Sequence, residues 1–364
     1  MEKELDKAID KTVKKDNAIK QRIAKWDNAK FFLIYLVVLG HMINKIAPNA
    51  YMDKYRFMQR CVFIIYTFHM PAFLFINGLF AKKTVDNKRY DKIGSFLRLY
   101  IIMSILKFAA VFAVDGKASY KLLYEEGVAW YALSLFSMFL IAIFLKPYRR
   151  VEMIIGTIVL GMVIGYDTGL DNFLSLTRTF TYLPFFLIGY YFDIKKFLNF
   201  IEKTSVKIVS WTVLVAYCAG VCLKIKPIYF MYHAFLKGKS SYEVTFTAKT
   251  IGANACNYGW LYRLIYYFVA FAVMVAFLSI IPNVQIPFVT TLGSRTLPVF
   301  VIHFSVIIIL MDKFKMLKTF RGMENQKMAL LLCLGISLCI QLILSIKPFN
   351  DLLNKIMSAP NSDL

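Results

Sequence analysis

Several residues able to do chemistry lie inside apolar stretches, where they are costly to bury. Trp26-Asp27-Asn28-Ala29-Lys30 is followed by ten apolar or small residues and then by His41. Eleven residues at about 100° each make about three turns, so Lys30 and His41 share one helical face, about 16 Å apart. Asp27, Asn44 and Lys45 fall within about 60° of the same stripe. Ionisable groups within a membrane span mark function by default. His69 follows in Phe68-His69-Met70-Pro71, where the proline withdraws a helical N–H and frees a carbonyl, as happens beside cavities. His303 lies in Val301-Ile302-His303, and the fourth histidine, His233, sits in a long polar loop. Counted from the external ends of their runs, His41, His69 and His303 each lie about 9–12 Å deep, in one slab. Histidine at that depth serves as general base, proton relay or metal ligand. No acidic motif or i, i+4 pair orients the three for zinc, so no metal is expected. A general base for a hydroxyl acceptor fits better, with Asp27 and Lys30 fixing an anion or phosphate one helix length away. The same residues also fit a snorkelling lysine and a hydrogen-bonded bundle histidine, or proton relays of a transporter or flippase for a lipid-linked sugar or small anion.

Other polar side chains enter apolar runs. Arg98 and Lys107 lie in the third, Trp130-Tyr131 opens the fourth, and Arg178 precedes Leu183-Pro184-Phe185-Phe186. Arg98, near the N-terminal end of its run, suits lipid headgroups or a cofactor phosphate. Asn77-Gly78 follows His69 on the same run.

These residues need rigid elements, and the sequence supplies helices. Of 364 residues, 59% are hydrophobic and only 18% charged. Apolar runs recur at about 29–47, 61–81, 94–114, 128–146, 151–166, 180–193, 207–223, 262–281, 296–311 and 328–346. Most approach the length that crosses about 30 Å of hydrocarbon as a helix, and none alternates as a barrel strand would. The expectation is an all-α integral membrane protein of about ten spans. Its domains are an amphipathic segment at 1–28, a membrane domain at 29–346 with a long external loop at 224–261, and a tail at 347–364. Lys82, Lys83, Lys88, Arg89 and Lys92 follow the second run and Lys146, Arg149 and Arg150 the fourth, whereas the loop 115–127 carries Asp115, Glu125 and Glu126. By the positive-inside rule both termini are cytoplasmic. Lys313, Lys315, Lys318, Arg321 and Lys327 after the ninth run go against it. The net charge of +22 sits in short loops between spans, which suits anionic membrane lipids rather than nucleic acid. Six cysteines, mostly within apolar runs, form no disulfide framework.

The stretch from Asp27 to His41 resembles the signature of acyltransferase family 3, integral-membrane O-acyltransferases: an acidic residue, Arg or Lys, ten residues, then His. Phe68-His69-Met70-Pro71 through Asn77-Gly78, Trp130, Arg178 through Pro184-Phe185-Phe186-Leu187-Ile188-Gly189, and Leu292-Gly293 through His303 agree in order and spacing with its fucose 4-O-acetyltransferase-like and exopolysaccharide-modifying subgroup. Departures are Asn77 and Thr296 where serine is common, and Lys30 for the commoner arginine. The resemblance implies transfer of an acyl group, usually acetyl, from cytoplasmic acyl-CoA to a hydroxyl of a glycan or lipid-linked saccharide, in a bacterial cytoplasmic membrane. His41 would be the general base or a transient acyl carrier. Asp27, Lys30 and Arg98 would meet the donor. His69, Asn77 or His303 would stabilise the oxyanion, and Asn77, Trp130 and Arg178 would contact substrate.

Overall fold

The computed structural model describes residues 24–47, 55–124, 127–170, 172–223, 235–246 and 254–357. Expectations for residues 1–23, His233 and Glu125-Glu126 lie outside them. In chain order the helices are α1 Ala24–Ile46, α2 Arg56–Asp86, α3 Tyr90–Asp115, α4 Trp130–Leu145, α5 Arg150–Val163, α6 Leu176–Tyr191, α7 Ile194–Ile201, α8 Thr204–Leu223, α9 Tyr242–Thr245, α10 Gly259–Ile280, α11 Val289–Gly293, α12 Leu297–Ile308, α13 Met316–Gly322, α14 Gln326–Leu344 and α15 Lys347–Met357. Among the described residues there is no strand, only an isolated bridge between Tyr124 and Phe173.

A helix lies on each of the ten apolar runs. Six described helices are long and apolar enough to cross a membrane, or seven if α12, extended by a π turn at Ile309–Lys313, and α13, bent by 70° at the break between Lys313 and Met316, count as one span. The helices on the runs 128–146, 151–166 and 180–193 have 16, 14 and 16 residues, short of the roughly 20 that a lone span needs. Two of the three need no such length in lipid, because α6 and much of α4 are buried within the protein. By contrast α8 exposes Ile208, Val209, Trp211 and Val215, an apolar face that water would disfavour and hydrocarbon would accept. Segment 347–364 holds a helix, α15, whose Leu353 is buried.

α1 is central, packed on α2, α11, α12 and α14. It begins before the apolar run, because its polar first turn is satisfied by protein carbonyls. Lys25 Nζ, fully buried, donates to the carbonyls of Ser279 (3.3 Å) and Ile281 and pairs with Glu202 at 2.8 Å. Asn28 Nδ2 donates to Pro282 and Val284 carbonyls, each at 3.0 Å, while its Oδ1 accepts from Thr290 Oγ1 at 2.7 Å. Trp26 packs between the rings of Phe80 and Phe197. α2 continues through Pro71 and lies in extended contact with α6. A Cβ on Gly78 would come 2.1 Å from Phe186 O, and one on Gly189 2.2 Å from Phe75 O, so only glycine permits this approach.

Candidate active site

His41 projects from α1 between two cavities. Its ring lies 5.5 Å from that of His303, 5.4 Å from Phe304 and 6.2 Å from Tyr66. The Tyr66 ring is in turn 4.8 Å from His69. The smaller cavity, about 150 Å³, is lined by His41, Asn44, Tyr66, His69, Trp130, Arg178, Tyr182, Lys237 and Lys239, with three further residues. The larger, about 530 Å³, shares His41, Asn44, Gly127 and Phe304 and adds Lys45, Lys107, Asp115, Asp312 and Arg321. Both lie toward the end of α1 remote from Lys30, beneath the loops that follow α3 and α8.

The three histidines thus converge, but not equivalently. His41 and His69 line one cavity; His303, fully buried, packs behind His41. His69 Nδ1–H donates to the Ile65 carbonyl at 2.7 Å, and His303 Nδ1–H to Val299 (2.8 Å) and Phe300 (2.9 Å). A carbonyl only accepts, so Nδ1 carries the proton in both rings and Nε2 of each neutral ring keeps its lone pair. Neither ring in that state offers a free N–H to an oxyanion. Among the described residues no group of three His, Cys, Asp or Glu side chains is arranged to hold a metal ion.

The residues expected to contact substrate separate. Arg178 is 6% exposed, its guanidinium 5.1 Å from the Trp130 ring, which stacks on Tyr182 at 5.6 Å. All three line the smaller cavity. Asn77 does not line it; its amide donates to the Phe73 carbonyl (2.9 Å) and to the Tyr131 hydroxyl (2.8 Å). At the other end of α1, Lys30 pairs with the buried Asp27 at 2.7 Å. Arg98 instead donates to the Met357 carbonyl of α15 at 2.9 Å. Gly293 lets α11 press on α1 there, since a Cβ would sit 2.0 Å from Asp27 O.

Two residues that sequence reading does not single out complete the site. Tyr66 lies three residues before His69 on the same face of α2, a spacing readable in the sequence. Lys237 comes from the long loop, where only a basic pair around a glycine, Lys237-Gly238-Lys239, offered a signal. Its place is set from below. Arg263, 1% exposed, donates to the Phe235 carbonyl at 2.9 Å and lies 4.0 Å over the Phe235 ring. The Tyr182 hydroxyl donates to the Leu236 carbonyl. Gly238 takes φ +60°, turning the chain back against Thr181. Lys237 Nζ then donates to Asn44 Oδ1 at 3.1 Å and lies 5.8 Å over the Tyr66 ring. Burial, then the charges of Lys239 and Arg178, push its ammonium down from 10.5 to about 7.

Comparison with known families gives a match to the family model described as an acyltransferase domain, over residues 23–346. No curated protein and no solved structure matches the chain. The match runs from the polar first turn of α1 to the end of α14 and includes every residue of the two cavities, so the chain belongs to acyltransferase family 3 and is a membrane acyltransferase.

Proposed function

We propose that the protein moves an acyl group, acetyl in the first instance, from cytoplasmic acyl-CoA to a hydroxyl of an extracytoplasmic sugar, glycolipid or polysaccharide of a bacterial cell envelope. The reading includes about ten spans with both termini cytoplasmic and the exopolysaccharide-modifying subgroup. What carries it is the place of His41, an imidazole in the wall between two polar cavities at one end of the central helix, with Asp27 and Lys30 at the other. Lys30, with Asp27 steadying it and Arg98 on α3, meets the donor phosphates at the cytoplasmic mouth.

In this scheme His41 takes the proton of the acceptor hydroxyl as its oxygen bonds to the acyl carbon. The tetrahedral oxyanion collapses, the C–S bond breaks, and the thiolate of CoA leaves and is protonated. His69 and His303, with Nδ1–H committed to carbonyls, serve to hold the wall and buffer the proton. Tyr66, its ring between those of His41 and His69, offers a hydroxyl to the oxyanion. Trp130 and Tyr182 give an aromatic face for the sugar. Asn77 acts one layer back, through Tyr131.

Purified protein given radiolabelled acetyl-CoA and envelope glycans transfers label to the glycan. His41→Ala lowers the rate by about 10²–10⁴-fold, the worth of a general base, while inserting into membranes normally. Full activity in that variant would refute the mechanism.

A further inference from the structure

Resting on the acyl-transfer reading, we propose that the smaller cavity beside His41 is an acceptor subsite for an oxyanion: a phosphate or carboxylate on the sugar, held by Lys237 and Arg178 with Lys239 alongside, near the hydroxyl that is acylated.

The charge balance of the two cavities differs. The larger one mixes signs, with Lys45 paired to Asp312 at 2.7 Å and with Asp115, Lys107 and Arg321 also in its wall. The smaller one has Arg178, Lys237 and Lys239 in its wall and, among the described residues, no Asp or Glu. An oxyanion in a confined site lined by these cationic side chains gains charge-assisted hydrogen bonds from them. The site is also built rather than incidental. Arg178 lies against Trp130, and the turn carrying Lys237 is fastened by Arg263 and by the Tyr182 hydroxyl. Burial first, and then the charges of Lys239 and Arg178, lower the affinity of the Lys237 ammonium for its proton.

An acyl-CoA donor also carries phosphates, but position argues against it as the occupant. Lys237 is bonded to Asn44, fourteen residues along α1 from Lys30, which is about 21 Å. A donor fixed at Lys30 by its phosphates leaves this second anion site to the acceptor. His41 and His69 line the same cavity, so a group held by Lys237 and Arg178 places neighbouring hydroxyls beside the base.

Isothermal titration of the full-length, detergent-purified protein with glucose 1-phosphate, glucuronate and glucose tests this, with and without saturating coenzyme A. Both anionic sugars are expected to bind at least tenfold more tightly than glucose under either condition, and Lys237→Gln to weaken their binding at least tenfold. Lys237→Gln keeps a hydrogen-bonding group for Asn44 and lies on a loop, and size-exclusion behaviour checks its fold. Equal binding of glucose and its anionic counterparts, or undiminished anion binding by Lys237→Gln, would overturn the proposal. Displacement of the anionic sugars by coenzyme A would overturn it too, because the cations would then hold the donor. The titration involves no acyl transfer. If the anionic sugars bind as expected and no label moves from acetyl-CoA to any sugar, the acyl-transfer reading fails and the oxyanion site stands.

Discussion

Lys237 sits among His41 from α1, Tyr66 and His69 from α2, Arg178 and Tyr182 from α6, and Lys239 from its own loop. Its ammonium is brought from 10.5 to about 7 chiefly by burial. A lowered pKa means the unfolded chain holds this proton more tightly than the folded one. Between pH 7 and 10.5 the unfolded state binds more protons, so this group's contribution to stability rises with pH. An anion bound beside it acts in the opposite sense and restores the proton. At pH 8, binding of glucose 1-phosphate should therefore take up protons, seen as a binding enthalpy that varies with the ionisation enthalpy of the buffer. Lys237→Gln should abolish most of that variation. A buffer-independent enthalpy in the unaltered protein would contradict the assigned titration, and uptake persisting in the variant would move it to His41 or His69. The histidines of this site are legible in sequence, because a charged or imidazole side chain in an apolar run has few neutral explanations. Lys237 is not. A lysine in a polar loop looks solvated, and what fixes its turn here is the bonding of Leu236 to Tyr182 and of Phe235 to Arg263, partners distant in the chain and bound by no periodicity.

At the scale of elements, Gly78 and Gly189 of the family signature set how closely two helices approach. Gly78 and Gly189 bring α2 and α6 so close that His69 on one and Arg178 and Tyr182 on the other reach a common cavity. Gly189→Ala would press a methyl group on the Phe75 carbonyl, a backbone atom that cannot swing aside. The expected loss is about 1–3 kcal/mol of stability, the usual cost of overpacking. Gly220 on α8 has open space where its Cβ would lie, so Gly220→Ala should be neutral or slightly stabilising, by up to about 1 kcal/mol from helix propensity. Thermal melting followed by size-exclusion chromatography separates the two. If Gly189→Ala melts with the unaltered protein, the close crossing is not what holds the cavity together. The helices themselves follow from apolar run length, and all ten runs are helical. Which of them face lipid does not follow, because composition alone does not distinguish α6, wrapped in protein, from α8, whose apolar face is bare.

Across the whole molecule, polar contacts gather in two layers. One holds Lys25 with Glu202, Asn28 with Thr290, and Lys146 with Asp86 at 2.7 Å. The other holds Lys45 with Asp312, Lys237 with Asn44, and Arg321 on the Ile46 carbonyl. From Lys25 to Lys45 along α1 is twenty residues, about 30 Å, the thickness of a bilayer's hydrocarbon core. The two layers therefore read as the two faces of the membrane, with His41 and its cavities near the second. Transfer to an extracytoplasmic sugar requires that second face to be the outer one. With the six native cysteines replaced, single cysteines at Tyr120, 46% exposed in the loop after α3, and at Lys203, exposed between α7 and α8, report the two faces. A membrane-impermeant maleimide added to intact cells should label Tyr120→Cys at once and Lys203→Cys only after permeabilisation. The reverse pattern would turn the protein over, put the Lys237 cavity in the cytoplasm, and make the acceptor a cytoplasmic precursor rather than a finished envelope glycan.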